Sequence, residues 1–177
     1  MRRGVDRRKR ATGFRIPERL QLEHAALHGE LVKATQAAGG VGEAARGVAT
    51  LVNPHFEKEE DFALPPLGIL SALAEGRITP EMGDVLKLTD RLRSELPRMR
   101  EEHVAIVAAL KGLTQAAKNE GKPEYVRFCS NFILHMRTEE EVLYPAAVVL
   151  GEYLKLVLTK GRRRPSLSAV KIPPLGG

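Results

Sequence analysis

The 177-residue chain contains a single cysteine, Cys129, so no internal disulfide can form and a disulfide-stapled secreted domain is excluded. A reducing compartment, the cytoplasm, is the expected setting. Aromatic residues make up only 5% of the chain and β-branched residues are sparse, which counts against a sheet. No uninterrupted apolar run reaches the roughly 20 residues that a bilayer span needs, so no membrane partner is expected. The basic start lacks the apolar stretch of a secretory signal. The body of the chain also lacks a basic surplus. Residues 1–16 carry a net +6 and residues 160–177 a net +5, against +6 for the whole chain, so residues 17–159 are five units negative. A nucleic-acid footprint requires a basic body, and nucleic acid is therefore not the expected partner. Basic tails on an acidic body read as disordered and solubilising; Pro165, Pro173, Pro174 and the terminal glycines agree.

What is present favours helix. Ala, Leu, Glu, Lys and Arg are abundant, and 43% hydrophobic residues in a chain of this length support one domain with a substantial core. Pro and Gly mark the boundaries. A first helix is expected from about Pro17 to Ala38, with Gly39-Gly40 as its stop. A second runs from about Gly42 to Pro65, kinked or restarted near Asn53 by Pro54. The apolar piece at residues 67–76 follows. Thr79-Pro80-Glu81 opens a third helix that reaches about Asn119, bent or divided at Pro97. After Gly121-Lys122-Pro123, a last helix spans about Glu124 to Leu158, disturbed at Pro145. Four main helices with one or two short extras make an all-α, up-down-up-down four-helix bundle over residues 17–159 the economical arrangement.

The chain repeats itself. HFEKEEDFALP from His55 lies over HMRTEEEVLYP from His135 at an offset of 80, matching His with His, Glu59 with Glu139, Glu60 with Glu140 and Pro65 with Pro145. LEHAALHGEL from Leu22 lies over EEHVAIVAAL from Glu101 at an offset of 79, matching Glu23 with Glu102 and His24 with His103. The protein is two helical hairpins of one design. Each has a histidine on its first helix and a His-x-x-x-Glu pair on its second.

Helical spacing sets where these residues point. Phe128, Phe132, His135, Glu139 and Val142 form one stripe, and Val48, Val52, His55, Glu59 and Phe62 another. On the first helices the stripes are Leu20, His24, Leu27, Leu31 and His103, Ile106, Val107, Leu110. In each, a polar residue interrupts an apolar face, so it points inward. A buried unpaired carboxylate costs several kcal/mol or is driven to its neutral form. Two carboxylates and four imidazoles in one core need a compensating partner. A metal ion is such a partner, because it takes neutral imidazole nitrogens and ionised carboxylate oxygens.

Several metal motifs are absent. There is no His-Glu-x-x-His pattern of zinc peptidases, no Glu-x-x-His of ferritin-like bundles, and no cysteine among the candidate ligands of the kind structural zinc prefers. Six or seven nitrogen and oxygen donors, two of them able to bridge, fit a pair of first-row metals better than one. The ordered set Glu23-His24, His55-x-x-x-Glu59-Glu60, Glu102-His103 and His135-x-x-x-Glu139-Glu140 resembles the haemerythrin-like (HHE) cation-binding family over roughly residues 17–158. The resemblance implies a four-helix bundle holding two iron ions bridged by an oxo or hydroxo group, with other divalent metals as alternatives. Glu59 and Glu139 would bridge them, with His24, His55, His103 and His135 as terminal ligands. Oxygen-carrying members place a His-x-x-x-His pair on the third helix, where this chain has Val107. Here the pair is His24 and His28 on the first helix, so His28 is expected to supply a fifth histidine, or else to face the rim.

Such a centre implies a small diatomic or peroxide ligand (O2, NO or peroxide) bound or sensed at an open position. Iron sensing or storage, and catalase- or peroxidase-like detoxification, are the alternatives, with a metal-free helical interaction domain behind them. Phe62, Phe128, Phe132 and Tyr144 would wall the pocket or simply fill the core. Glu60 and Glu140 read as solvated, with contact to the ligands as the second reading, and Cys129 reads as a small buried hydrophobe.

Overall fold

The computed structural model describes residues 14–162, and among these all regular structure is helical, with no strand. Helix α1 (Glu18–Thr35) and helix α2 (Gly40–Lys58) form the first hairpin. A five-residue π turn, Glu59–Ala63, continues α2, and a 3-10 turn (Pro65–Ile69) leads into the short helix α3 (Leu70–Ala74). A second 3-10 turn, Pro80–Asp84, opens the long helix α4 (Val85–Asn119). The second hairpin closes with α5 (Pro123–Thr138), a π turn at Glu139–Leu143, and α6 (Tyr144–Arg162).

The two hairpin tips lie side by side. Gly39 (φ 81°) and Gly121 (φ 65°) take the left-handed conformation that lets each chain reverse tightly. Val41 N–H donates to Glu120 Oε1 at 3.2 Å, and Lys122 Nζ donates to the Ala38 carbonyl at 3.0 Å. With both tips at one end, the four long segments alternate in direction.

Three apolar clusters fill the interior, one of them formed by Ile69, Met82, Val85, Leu150 and Leu154; the other two flank the histidines and glutamates. Leu31, Val48, Val52, Ile106, Leu110 and Phe132 belong to the one nearer the tips. Phe62, Leu64, Leu92, Met99 and Tyr144 belong to the other, beneath the connecting turns. Along α2, α4 and α5, the histidine and glutamate positions fall between the residues of one cluster and those of the other. A polar layer is thus clamped between two dry ones.

Pro54 and Pro97 do not divide their helices, whereas the disturbance expected at Pro145 is present. Pro54 lies inside α2 and Pro97 inside α4 without breaking either. Both are on exposed faces, where the carbonyl that loses its N–H partner faces solvent instead of the core. The real disturbance precedes Pro65 and Pro145. There the helix widens into π turns, each closed by an N–H five residues on: Leu64 to the Glu59 carbonyl at 2.9 Å, and Tyr144 to the Glu139 carbonyl. A wider turn makes room for a proline ring that would otherwise meet the carbonyl four residues back.

Other boundaries shift as well. Helix α1 stops at Thr35, ahead of Ala38. Phe14 and Ile16, assigned to the N-terminal tail, pack on the core. Residues 1–13 and 163–177 lie outside the described residues. The rod Pro123–Thr159 is long and apolar enough by length and composition to cross a membrane, although no uninterrupted apolar run in the sequence is. It also carries His135 and Glu139 into the bundle interior.

Helix α6 approaches α4 closely at Gly151, where an added Cβ would lie 2.2 Å from Thr89 Oγ1. Gly151→Ala is therefore expected to destabilise the fold by about 1–3 kcal/mol through overpacking. Urea unfolding checks this: the midpoint drops while the slope is unchanged, and an unaltered midpoint would contradict the close contact.

Candidate metal centre

Six side chains from four helical segments meet in the polar layer. His24 comes from α1, His55 from α2, His103 from α4 and His135 from α5, while Glu59 and Glu139 open the two π turns. All are buried, and the two glutamates expose no surface at all. His55 and His103 turn their Nε2 atoms toward each other, 2.8 Å apart. Glu59 Oε1 lies 3.1 Å from His55 Nε2 and 3.9 Å from His103 Nε2. On the other side, Glu139 Oε1 lies 2.9 Å from His135 Nε2 and 3.3 Å from His24 Nε2. The remaining oxygens cross over: Glu59 Oε2 faces His24 Nε2 and Glu139 Oε2 faces His103 Nε2, each at 3.6 Å. Each carboxylate presents one oxygen to each pair of imidazoles.

The outer nitrogens of the histidines face a second set of carboxylates. His55 Nδ1 lies 2.9 Å from Glu102, His103 Nδ1 2.7 Å from Glu140, His135 Nδ1 3.3 Å from Glu23, and His24 Nδ1 3.9 Å from Glu60. Lys58 pairs with Glu102 from behind. A carboxylate at Nδ1 holds the proton there and leaves the Nε2 lone pair aimed inward; His24 Nδ1, too far from Glu60, is buried without a hydrogen bond among the described residues. The repeat carries this arrangement across: the His55–Glu102 contact maps onto His135–Glu23, and His103–Glu140 onto His24–Glu60. Glu140 is thus a partner of His103 rather than a solvated residue, while Glu60, 54% exposed, stands at the edge of that role.

The electrostatics match a site made for positive charge. Burial pushes the Glu59 carboxyl up, but His103 and His55 beside it bring it well below the usual carboxylate range. Burial lowers His135, and Glu139 outweighs that, raising it to about 9. His55 is raised in the same way by Glu59 and Glu102, against its burial. Burial first, then the charges of Glu59 and Glu139, push the Tyr144 phenol up. It keeps its proton and donates it to Glu59 Oε1.

Three inward atoms, Glu59 Oε2, Glu139 Oε2 and His135 Nε2, are buried without a hydrogen bond among the described residues. His135 Nε2 touches Glu139 Oε1 yet is not aligned to bond it. Buried polar atoms left unpaired are expensive, and a cation among these donors satisfies all three at once. The donors form two groups, His55–Glu59–His103–Glu139 and His24–His135–Glu139. These residues can hold a metal ion.

Six of the seven residues expected from the sequence meet here. His28 does not; it is exposed. At about 100° per residue, the inward face of α1 runs through His24, Leu27, Leu31 and Ala34, and His28 lies beyond its edge. Sequence spacing also placed Val142 on the inward stripe, yet it is 55% exposed while Tyr144 is fully buried. The π turn is the cause. Its bonding pattern lifts residue i+5, rather than i+4, over residue i. Phe56, unremarked in the sequence, stacks on His24 with ring centroids 4.4 Å apart. Phe62, Phe128 and Phe132 are buried, and Cys129 is buried with its thiol pushed up by that burial. Compared with known proteins, the chain matches no family model, no curated protein and no solved structure.

The metal-free protein should be most stable between about pH 4.5 and pH 6.5. Glu59, depressed from 4.5, stabilises above that value and loses its contribution as pH falls. His135, raised from 6.5 to about 9, stabilises fully below 6.5 and loses its contribution as pH rises through 9. Thermal melts in chelator across this range test the shape, and His135→Gln should shrink the alkaline decline.

Proposed function

We propose that this is a haemerythrin-like, non-haem di-iron protein that binds or senses O2, NO or peroxide. Glu59 and Glu139 would be shared between the two metals, with His55 and His103 to hold one and His24 and His135 to hold the other. The crossing of carboxylate oxygens between the two imidazole pairs is the observation that carries this reading. One ion would use only half of those oxygens, whereas two use each of them once. Bound iron supplies the Lewis acidity and the electrons needed to capture a small oxidising ligand.

The protein's own residues do the rest. The outer carboxylates Glu23, Glu60, Glu102 and Glu140 face the imidazole rings and raise their basicity. Phe56 covers His24, and Phe132 packs edge-on to His135 with centroids 6.4 Å apart. With the apolar clusters on either side, they restrict the access of bulk water to the layer. Such a dry pocket favours an uncharged diatomic over water as the incoming ligand. The alternating hairpins, the internal repeat and the inward histidines support the haemerythrin-like resemblance noted in the sequence.

Anaerobic loading with iron(II), followed by metal analysis and an optical spectrum before and after O2, tests the proposal. Two irons per chain and new ligand-to-metal charge-transfer bands after O2 are expected; less than one metal per chain overturns it. Glu102→Gln and Glu140→Gln should each weaken metal binding by about 10- to 100-fold while leaving the helical signal intact.

A further inference from the structure

Among the oxygen-bearing side chains that reach the inner donors, the repeat is broken at Tyr144. Every inner donor and every outer carboxylate has a counterpart in the other hairpin, but Tyr144 corresponds to Leu64. Both side chains are buried and both follow a π turn, so the backbone delivers them to equivalent places. Only one brings an oxygen.

That oxygen stands among the donors of one half. Tyr144 Oη bonds Glu59 Oε1 and lies 3.4 Å from His103 Nε2. His55 Nε2 is 2.8 Å from His103 Nε2 and 3.1 Å from Glu59 Oε1. Metal bonds of about 2.1 Å at right angles separate neighbouring donors by about 3 Å and opposite donors by about 4.2 Å. His103 Nε2 and Glu59 Oε1, 3.9 Å apart, fit the opposite case; His55 with His103, His55 with Glu59, and Tyr144 with His103 fit the neighbouring one. Tyr144 Oη thus stands beside donors that have the spacing of one coordination sphere.

We infer that Tyr144 is a ligand to the metal held by His55 and His103, which leaves the open position on the metal held by His24 and His135. This rests on the two-metal reading above. With Glu139 Oε2 and the oxygen that bridges the two metals added, the His55–His103 metal would have six donors and no open position, whereas its neighbour would have five: two imidazoles, one oxygen from each carboxylate and the same bridging oxygen. When the metal binds, the metal–Oη bond forms and the Oη–H bond breaks, its proton leaving to bulk solvent. No oxidant or reductant is needed for that step.

The route in agrees with this assignment. A cleft of about 350 Å³ between α1 and α5 is lined by Leu27, Asn131, Leu134 and Thr138 and reaches His135. Tyr144 belongs instead to the apolar cluster beneath the connecting turns. A small ligand entering by the cleft meets the five-donor metal first. Tyr144 also fills the role expected of His28, supplying the additional donor from the second hairpin instead of the first.

The test uses the full chain loaded with two irons and oxidised, with azide as the probe of open positions. The wild type should show a visible phenolate-to-iron(III) band whose resonance Raman spectrum carries tyrosine ring modes, and should bind one azide per chain. Tyr144→Phe should keep two irons, lose the band and its ring modes, and bind two azides. Tyr144→Leu, which copies Leu64 of the other hairpin, should do the same and serves if the phenylalanine variant folds poorly. A di-iron wild type without the phenolate band, or a variant that retains it, overturns the assignment of Tyr144. Unchanged azide stoichiometry overturns the assignment of the open position. Failure to bind two irons in the wild type sinks the functional proposal itself, and is read separately from the metal analysis.

Discussion

Glu59 and Glu139 have no exposed surface, sit between two apolar clusters, and face four buried imidazoles. Such a layer cannot be stabilised by packing, since its members carry unmet charge and unmet lone pairs. In the metal-free state it is held by protons: His135 and His55 are raised, Glu59 is depressed, and Tyr144 donates inward. The rest of the structure is arranged around this constraint. The helices are long enough to hold a dry cluster on each side of the layer, and the hairpin tips are tied together by Glu120 and Lys122. A cation in the layer would displace protons from these groups, so folding and metal binding are expected to share a single set of residues.

The doubled design explains how so few residue types build two shells. One hairpin supplies a first-helix histidine, a second-helix histidine and glutamate, and two outer glutamates. The other repeats the set. Exchange between hairpins then completes each half, because Glu102 of the second serves His55 of the first, while Glu23 of the first serves His135 of the second. Neither hairpin alone can assemble a site. The π turns belong to the same design: they occur at both glutamates that would bridge, where a local widening re-aims the residues that follow.

How much of this was legible in the sequence depends on which period each residue obeys. Where the 3.6-residue repeat holds, as through His24, Leu27 and Leu31 or through His103, Ile106 and Leu110, inward placement followed from spacing alone. His28 failed because four residues advance slightly more than one turn, and a small angular excess at the margin of a narrow stripe exposes the side chain. Val142 and Tyr144 failed because the period changes at Glu139, and nothing in EEEVLYP beyond its proline signals a π turn. Of the outer carboxylates, Glu60 and Glu140 offered contact with the ligands only as a second reading, and Glu23 and Glu102 were visible only as repeat-matched letters. Glu23 and Glu102 serve histidines far away in the sequence, and no local pattern reveals such a partner. Pro54 and Pro97 misled in the opposite direction, since their effect depends on whether the freed carbonyl faces solvent or core, and that is a property of the assembled bundle.

Symmetry in a site of this kind also limits what it can do. Two equal metals would offer two equal openings, and an incoming ligand would have no preferred end. Tyrosine in place of leucine at the residue that the π turn lifts over the layer would remove that equivalence, because it brings an oxygen to one half only. Leu64 and Tyr144 are comparably buried, so the apolar cluster tolerates either, and the phenol hydroxyl finds its partner in a carboxylate already committed to the site. The imidazole pair lacking this oxygen is the one beside the cleft between α1 and α5. A difference in donor number and a difference in access therefore fall on the same side of the layer, and together they give an otherwise two-fold site a direction.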